Sequence, residues 1–108
     1  MPNLTIFVAK DRMPSDAKLA ELSARCTELC TGILRASLGN VHIIHVEAHL
    51  GRGHPVYVEV HYRLEAHRTS TVMGAFMDGL DEAVRTATGL AVRIRCFGFA
   101  SPNIHARN

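Results

Sequence analysis

The chain has 108 residues, 47% hydrophobic and 20% charged, with a formal net charge of +2 when its seven histidines are neutral. That length makes one domain, residues 1–108, with room for a modest core. The charge is too small to argue for nucleic acid or membrane, no apolar run approaches the ~18 residues of a membrane span, and the start lacks a signal-peptide pattern, so a soluble cytoplasmic protein is expected.

Pro2 stands at the head of the first predicted element. Freed of Met1, it would be a secondary amine, basic once cations or partial burial bring its pKa toward neutrality. Leu4, Ile6 and Val8 alternate with Asn3, Thr5, Phe7 and Ala9, which predicts a strand over 3–9. Asp11-Arg12-Met13-Pro14-Ser15 turns the chain, with Ser15 as a candidate N-cap. Leu19, Leu22, Cys26, Leu29, Cys30 and Ile33 follow helical spacing, and Gly39 predicts an end to that helix near Leu38.

Val41–Leu50 forms the second predicted strand, with a shift of apolar parity between Ile43 and Ile44. Either both faces are covered there or a bulge intervenes. After the loop Gly51–Pro55, Val56, Val58, Val60, Tyr62 and Leu64 mark the apolar side of a third strand, opposite Tyr57, Glu59, His61 and Arg63. Arg68-Thr69-Ser70-Thr71 opens a second helix with an apolar stripe from Val72 to Ala87, ended by Gly89. Val92, Ile94 and Cys96 alternate with Arg93, Arg95 and Phe97 in a fourth strand. Gly74 and Gly79 inside the second helix cost about 1 kcal/mol each against Ala, which close helix packing would explain.

The order is βαβ twice over, a weak internal repeat with right-handed crossovers between parallel strands. It predicts an α/β domain: a four-stranded mixed sheet with two helices on one face. The other face is left open, carrying Asn3, Thr5, Phe7, Tyr57, Glu59, His61, Arg63, Arg93, Arg95 and Phe97. Such a face suits water or a subunit interface. The three cysteines read as small buried hydrophobes of a reducing compartment. The histidines do not make a metal site within one chain. His42 and His45 point to opposite strand faces, and His45 and His49 lie roughly 13 Å apart along an extended strand.

Pro2, the Lys10-Asp11-Arg12 turn with Pro14-Ser15-Asp16-Ala17-Lys18, the stretch Val41–Glu47, His67-Arg68-Thr69 and the Phe97-Gly98 pair together resemble the tautomerase superfamily. Its members include 4-oxalocrotonate tautomerase (4-OT), macrophage migration inhibitory factor and the chloroacrylic acid dehalogenases, whose cis branch the Lys10-Asp11-Arg12 and Phe97-Gly98 pieces are most similar to. The resemblance implies a trimer with sites at subunit boundaries, working without cofactor or metal on a small carboxylate. Pro2 is the implied general base, conditional on removal of Met1, because a retained Met1 makes its nitrogen a tertiary amide. Arg12 matches the family's substrate-carboxylate arginine after the first strand and Arg68 the arginine that opens the second helix in its isomerase and dehalogenase branches, so these two are expected to hold the anion. Arg93, Arg95 and Asn103 are further candidates for lining the site, and pairing with Glu59 is the other reading of the first two.

The chain also departs from that pattern. His42 stands where 4-OT has its second arginine, and no Asp or Glu follows Glu82 to activate water. Leu29 stands about where one dehalogenase branch has a histidine. The missing carboxylate argues against hydrolytic dehalogenation. The expectation is a tautomerase or isomerase acting on an unsaturated or α-keto acid. Such a reaction needs one near-neutral base and cations that steady an enolate. A hydratase or dehalogenase-like activity, and a trimeric binding protein without chemistry, are the alternatives.

Overall fold

The computed structural model describes residues Met1–Asn108. The first alternating segment forms β1 (Asn3–Ala9), burying Leu4, Ile6 and Val8. A 3₁₀ turn over Lys10–Arg12 leads to α1 (Asp16–Gly32), whose N-cap Ser15 accepts a hydrogen bond from the Lys18 N–H. The remaining elements are β2 (His42–Ala48), β3 (Val56–Arg63), α2 (Ser70–Thr88) and β4 (Val92–Phe99). Thr69 caps α2 by accepting from the Val72 N–H, and Gly89, at φ 69°, closes it in the left-handed region where glycine carries no steric penalty.

The strands lie in the order β2-β1-β3-β4. β1 pairs parallel with β2, β3 pairs parallel with β4, and the two βαβ halves meet through the antiparallel β1–β3 ladder. Both helices cover one face. Leu22, Cys26, Leu29 and Cys30 of α1, and Met73, Phe76, Leu80 and Val84 of α2, close over the apolar side of β1 and β3 in one cluster. A Cβ on Gly79 would stand 2.5 Å from Leu29 Cδ2, so close α1–α2 packing accounts for that glycine; nothing lies within 4 Å of a Cβ on Gly74, and its presence has no such explanation.

One expectation is corrected and one open alternative is decided. The first helix ends at Gly32, not near Leu38. Arg35 takes φ 55°, and the Ala36 N–H bonds back to the Cys30 carbonyl, so the chain turns out of the helix ahead of Gly39. This drops Leu34 into the core, fully buried. The second strand has no bulge, since its register with β1 runs unbroken from Asn3↔His42 to Ala9↔Ala48. Ile43, His45 and Glu47 therefore share the helix-covered face with Leu4, Ile6 and Val8, and Ile44 and Val46 share the open face with Thr5 and Phe7. The parity shift is the mark of an edge strand with apolar residues on both faces.

Candidate active site

The antiparallel centre of the sheet decides what surrounds the start of the chain. Asn3 is level with His61 on β3, His61 is level with Phe97 on β4, and Asn3 is level with His42 on β2. The chain start therefore meets the head of β2, the tail ends of β3 and β4, and the loop entering α2. The His42 N–H donates to the Pro2 carbonyl at 3.1 Å, extending the β1–β2 ladder to the second residue. The Pro2 side chain is less than 2% exposed, and Met1 is half-buried.

Two open clefts share Met1, Asn40 and Arg63. The first, about 700 Å³, is also lined by His42, Phe99, Asn103, Ile104 and Arg107. The second, about 400 Å³, adds Arg35, Arg68 and Glu65, the one acidic side chain lining either cleft. The terminal amine at Met1 is held below its ordinary value of 8.0, chiefly by burial and then by the positive charges of Arg63 and Arg68.

The structure brings Met1-Pro2, His42, Asn103 and Arg68 together, but not Arg12, Arg93 or Arg95. Arg12 lies past the far end of β1, beside Lys10, His49 and Leu50, on the order of 20 Å from Pro2 at ~3.3 Å per strand residue. Arg93 and Arg95 stand on the open sheet face, level with Tyr57 and Glu59 and outside both clefts. Within one chain neither pairs with Glu59. The Tyr57 hydroxyl donates to Glu59 Oε2 at 3.0 Å and His61 Nε2 donates to Oε1 at 2.7 Å, while Arg95 Nη1 turns to its own strand's Ile94 carbonyl. Those two bonds, His61 first, hold the Glu59 carboxyl below the usual carboxylate range. The His61 ring stacks on Phe99 with centroids 5.4 Å apart.

Arg63 is the residue that sequence reasoning missed. It reads there as one polar position among four on β3. Its place beside the chain start follows only from the antiparallel β1–β3 register, which no local pattern encodes. Arg68 is half-buried and already engaged. Its Nε donates to the Leu34 carbonyl at 3.0 Å and its Nη1 to the Arg63 carbonyl at 2.7 Å. His67 Nε2 donates to the same Leu34 oxygen at 2.9 Å.

The fold is that of 4-OT. A native fused 4-OT superimposes with a TM-score of 0.79 over 97% of this chain and 92% of that one, at 20% identity. A fused 4-OT solved as a symmetric trimer gives 0.80 over 98% and 94%, at 16% identity. Macrophage migration inhibitory factor of Toxoplasma gondii gives 0.78 over 97% and 96%, at 13% identity. Malonate semialdehyde decarboxylase, a protein with decarboxylase and hydratase activities, gives 0.74 over 99% and 92%, at 12% identity. No protein-family model matches the sequence, and no curated protein does. The 4-OT fold is the architecture that the sequence resemblance implies, and in this chain it carries Pro2 at the tip of β1.

The other nucleophiles are subdued. Burial pushes the Cys26 and Cys30 thiols up to about 12 and Cys96 to about 11. Ser23 Oγ and His45 Nε2 share a 2.7 Å hydrogen bond between α1 and β2, and His45 Nδ1 is buried without a partner. Neither Ser23 nor His45 lines either cleft at the chain start. No helix is long and apolar enough to cross a membrane.

Proposed function

We propose that this protein is a cofactor-independent tautomerase or isomerase in which Pro2, after removal of Met1, is the general base. The observation that carries the reading is the position of the chain's tip, beside Arg63 and Arg68 and under partial burial that already holds a terminal amine low. Removal of Met1 moves the amine inward by about 3.8 Å, onto a residue whose ring is buried. Desolvation and the same two cations then favour its neutral, proton-accepting form. The substrate is a small unsaturated or α-keto acid. Its carboxylate is held by a guanidinium group beside Pro2, and the positive field there also steadies the enolate that forms when the proton leaves carbon.

The working unit in this reading is a homotrimer joined through the open sheet face, where Ile44, Phe97 and Phe99 are exposed. The fused 4-OT solved as a symmetric trimer supports it. Arg12 then reaches a site only from a neighbouring copy. The test is intact mass to establish loss of Met1, followed by ketonisation of phenylenolpyruvate by the processed protein and by Pro2→Ala. The expected loss is roughly 10²–10⁴-fold, and equal rates for the two proteins would refute the assignment. Hydration is the second reading, favoured by Glu65 at the second cleft and tested by chloride release from 3-chloroacrylate.

A further inference from the structure

We infer that the two arginines beside the chain start divide their work: Arg63 holds the substrate carboxylate, and Arg68 is a positioning residue that fixes the backbone carrying Arg63. The inference rests on the proposed function in taking the anion to be that site's substrate.

A guanidinium grips a carboxylate best through two parallel N–H donors, using either Nε with one Nη or both Nη atoms. In Arg68, Nε is bonded to the Leu34 carbonyl and Nη1 to the Arg63 carbonyl. A donor from each of its forks is therefore already given to backbone. These bonds tie the exit of α1 to the end of β3. Leu34 is fully buried just beyond the α1 terminus, and its carbonyl collects both the Arg68 and His67 donors. Withdrawing Arg68 strips a charge-assisted partner from each carbonyl.

Arg63 is placed differently. Its one side-chain bond is from Nη1 to the exposed Ser101 hydroxyl at 3.4 Å, the long limit for such a contact. No carboxylate lies within ion-pair distance of either arginine, the four ion pairs of the protein all lying elsewhere. Arg63 lines both clefts, whereas Arg68 lines only the second. Phe99, level with Arg63 in the β3–β4 ladder, adds an apolar wall to the first cleft. A carboxylate on Arg63 would lay a flat unsaturated body along that ring.

The experiment titrates cinnamate, an unsaturated monocarboxylate, into processed wild type, Arg63→Gln, Arg68→Gln and the double variant. Affinity is read by calorimetry and stability by thermal unfolding. Arg63→Gln is expected to weaken cinnamate roughly 10–100-fold, the loss of one charge-assisted pair, with the thermal midpoint little changed. Arg68→Gln is expected to lower the midpoint and to weaken cinnamate only a few-fold. That few-fold effect should vanish in the Arg63→Gln background, because Arg68 acts through Arg63. Should Arg68→Gln fail to fold, Arg68→Lys, which keeps the charge and a single donor group for the two carbonyls, carries the same comparison. Independent losses from the two substitutions would overturn the division of labour, as would a full loss of affinity in Arg68→Gln at unchanged stability. Absence of saturable binding to wild type would overturn the role of Arg63. Wild type that binds cinnamate through Arg63 yet fails to ketonise phenylenolpyruvate would sink the proposed activity and leave this assignment standing.

Discussion

Replacing each of the two glycines of α2 by alanine tests the packing that sets the two helices against each other. Both sites are helical, so both variants gain the same intrinsic propensity, about 1 kcal/mol. That gain cancels in the difference between them. At Gly74 the new methyl meets nothing within 4 Å, so the gain stands. At Gly79 it would come within 2.5 Å of Leu29 Cδ2 and 3.3 Å of Cδ1. Leu29 is 3% exposed and surrounded by core, so it must leave its rotamer or the helices must separate. Overpacking of this kind costs about 1–3 kcal/mol. Gly74→Ala should therefore be stabilised by about 1 kcal/mol, and Gly79→Ala should lie about 1–3 kcal/mol below it. Urea unfolding at one fixed protein concentration measures the gap. With a slope of about 1–3 kcal/mol per molar, the midpoints should separate by roughly 1 M. Coincident midpoints, or Gly79→Ala the more stable of the two, would refute the close α1–α2 contact.

Three further outcomes follow from the same geometry. Burial, Arg63 and Arg68 lower the pKa of the Met1 amine, and in the proposed enzyme the same surroundings should lower that of the Pro2 amine, so the kcat/KM profile for phenylenolpyruvate should show an acid limb set by that amine. Activity should rise with pH through that limb as the base loses its proton, and Arg63→Gln should move the limb upward; an unmoved limb would count against the arginine as its cause. His45 is held below its ordinary 6.5 by burial, so below about pH 6.5 the unfolded chain binds the extra proton first. Its contribution to stability is present above that pH and is lost as pH falls through the window beneath it. His45→Gln, which can still bond Ser23, should flatten the stability profile there, as followed by urea midpoints from pH 7.5 down to about 5. Finally, the native thiols should resist an aromatic disulfide reagent at pH 8, with all three reacting once urea unfolds the chain. Rapid native labelling of Cys26 or Cys30 would contradict their burial.

Much of the architecture is legible in the residues. The alternation in 3–9 and 56–63, the stripe from Val72 to Ala87, the helix starts at Ser15 and Thr69 and the stop at Gly89 each report a local physical requirement, and each is met, whereas Leu64, expected on the apolar side of the third strand, lies past its end and is exposed. The expected end of α1 near Leu38 fails because Gly39 is a strong stop signal that the chain reaches too late. Arg35 turns left-handed four residues earlier, an event that the burial of Leu34 favours and that arginine's own preference does not announce. The irregular parity of residues 43–46 was ambiguous for a related reason. Apolar residues on both faces of a strand do not say whether a bulge or a second covering surface accounts for them.

The candidate site divides along the same line. The sequence by itself determined the two βαβ units, the face that the first, third and fourth strands bury, and a proline at the tip of the first strand, because these depend on neighbours within a few positions. Only the tertiary structure decided which cations meet that tip. The antiparallel pairing of β1 with β3 carries Arg63 to the chain start and leaves Arg12 a strand's length away. Register between distant strands is a property of the assembled core, and no short stretch of either strand contains it.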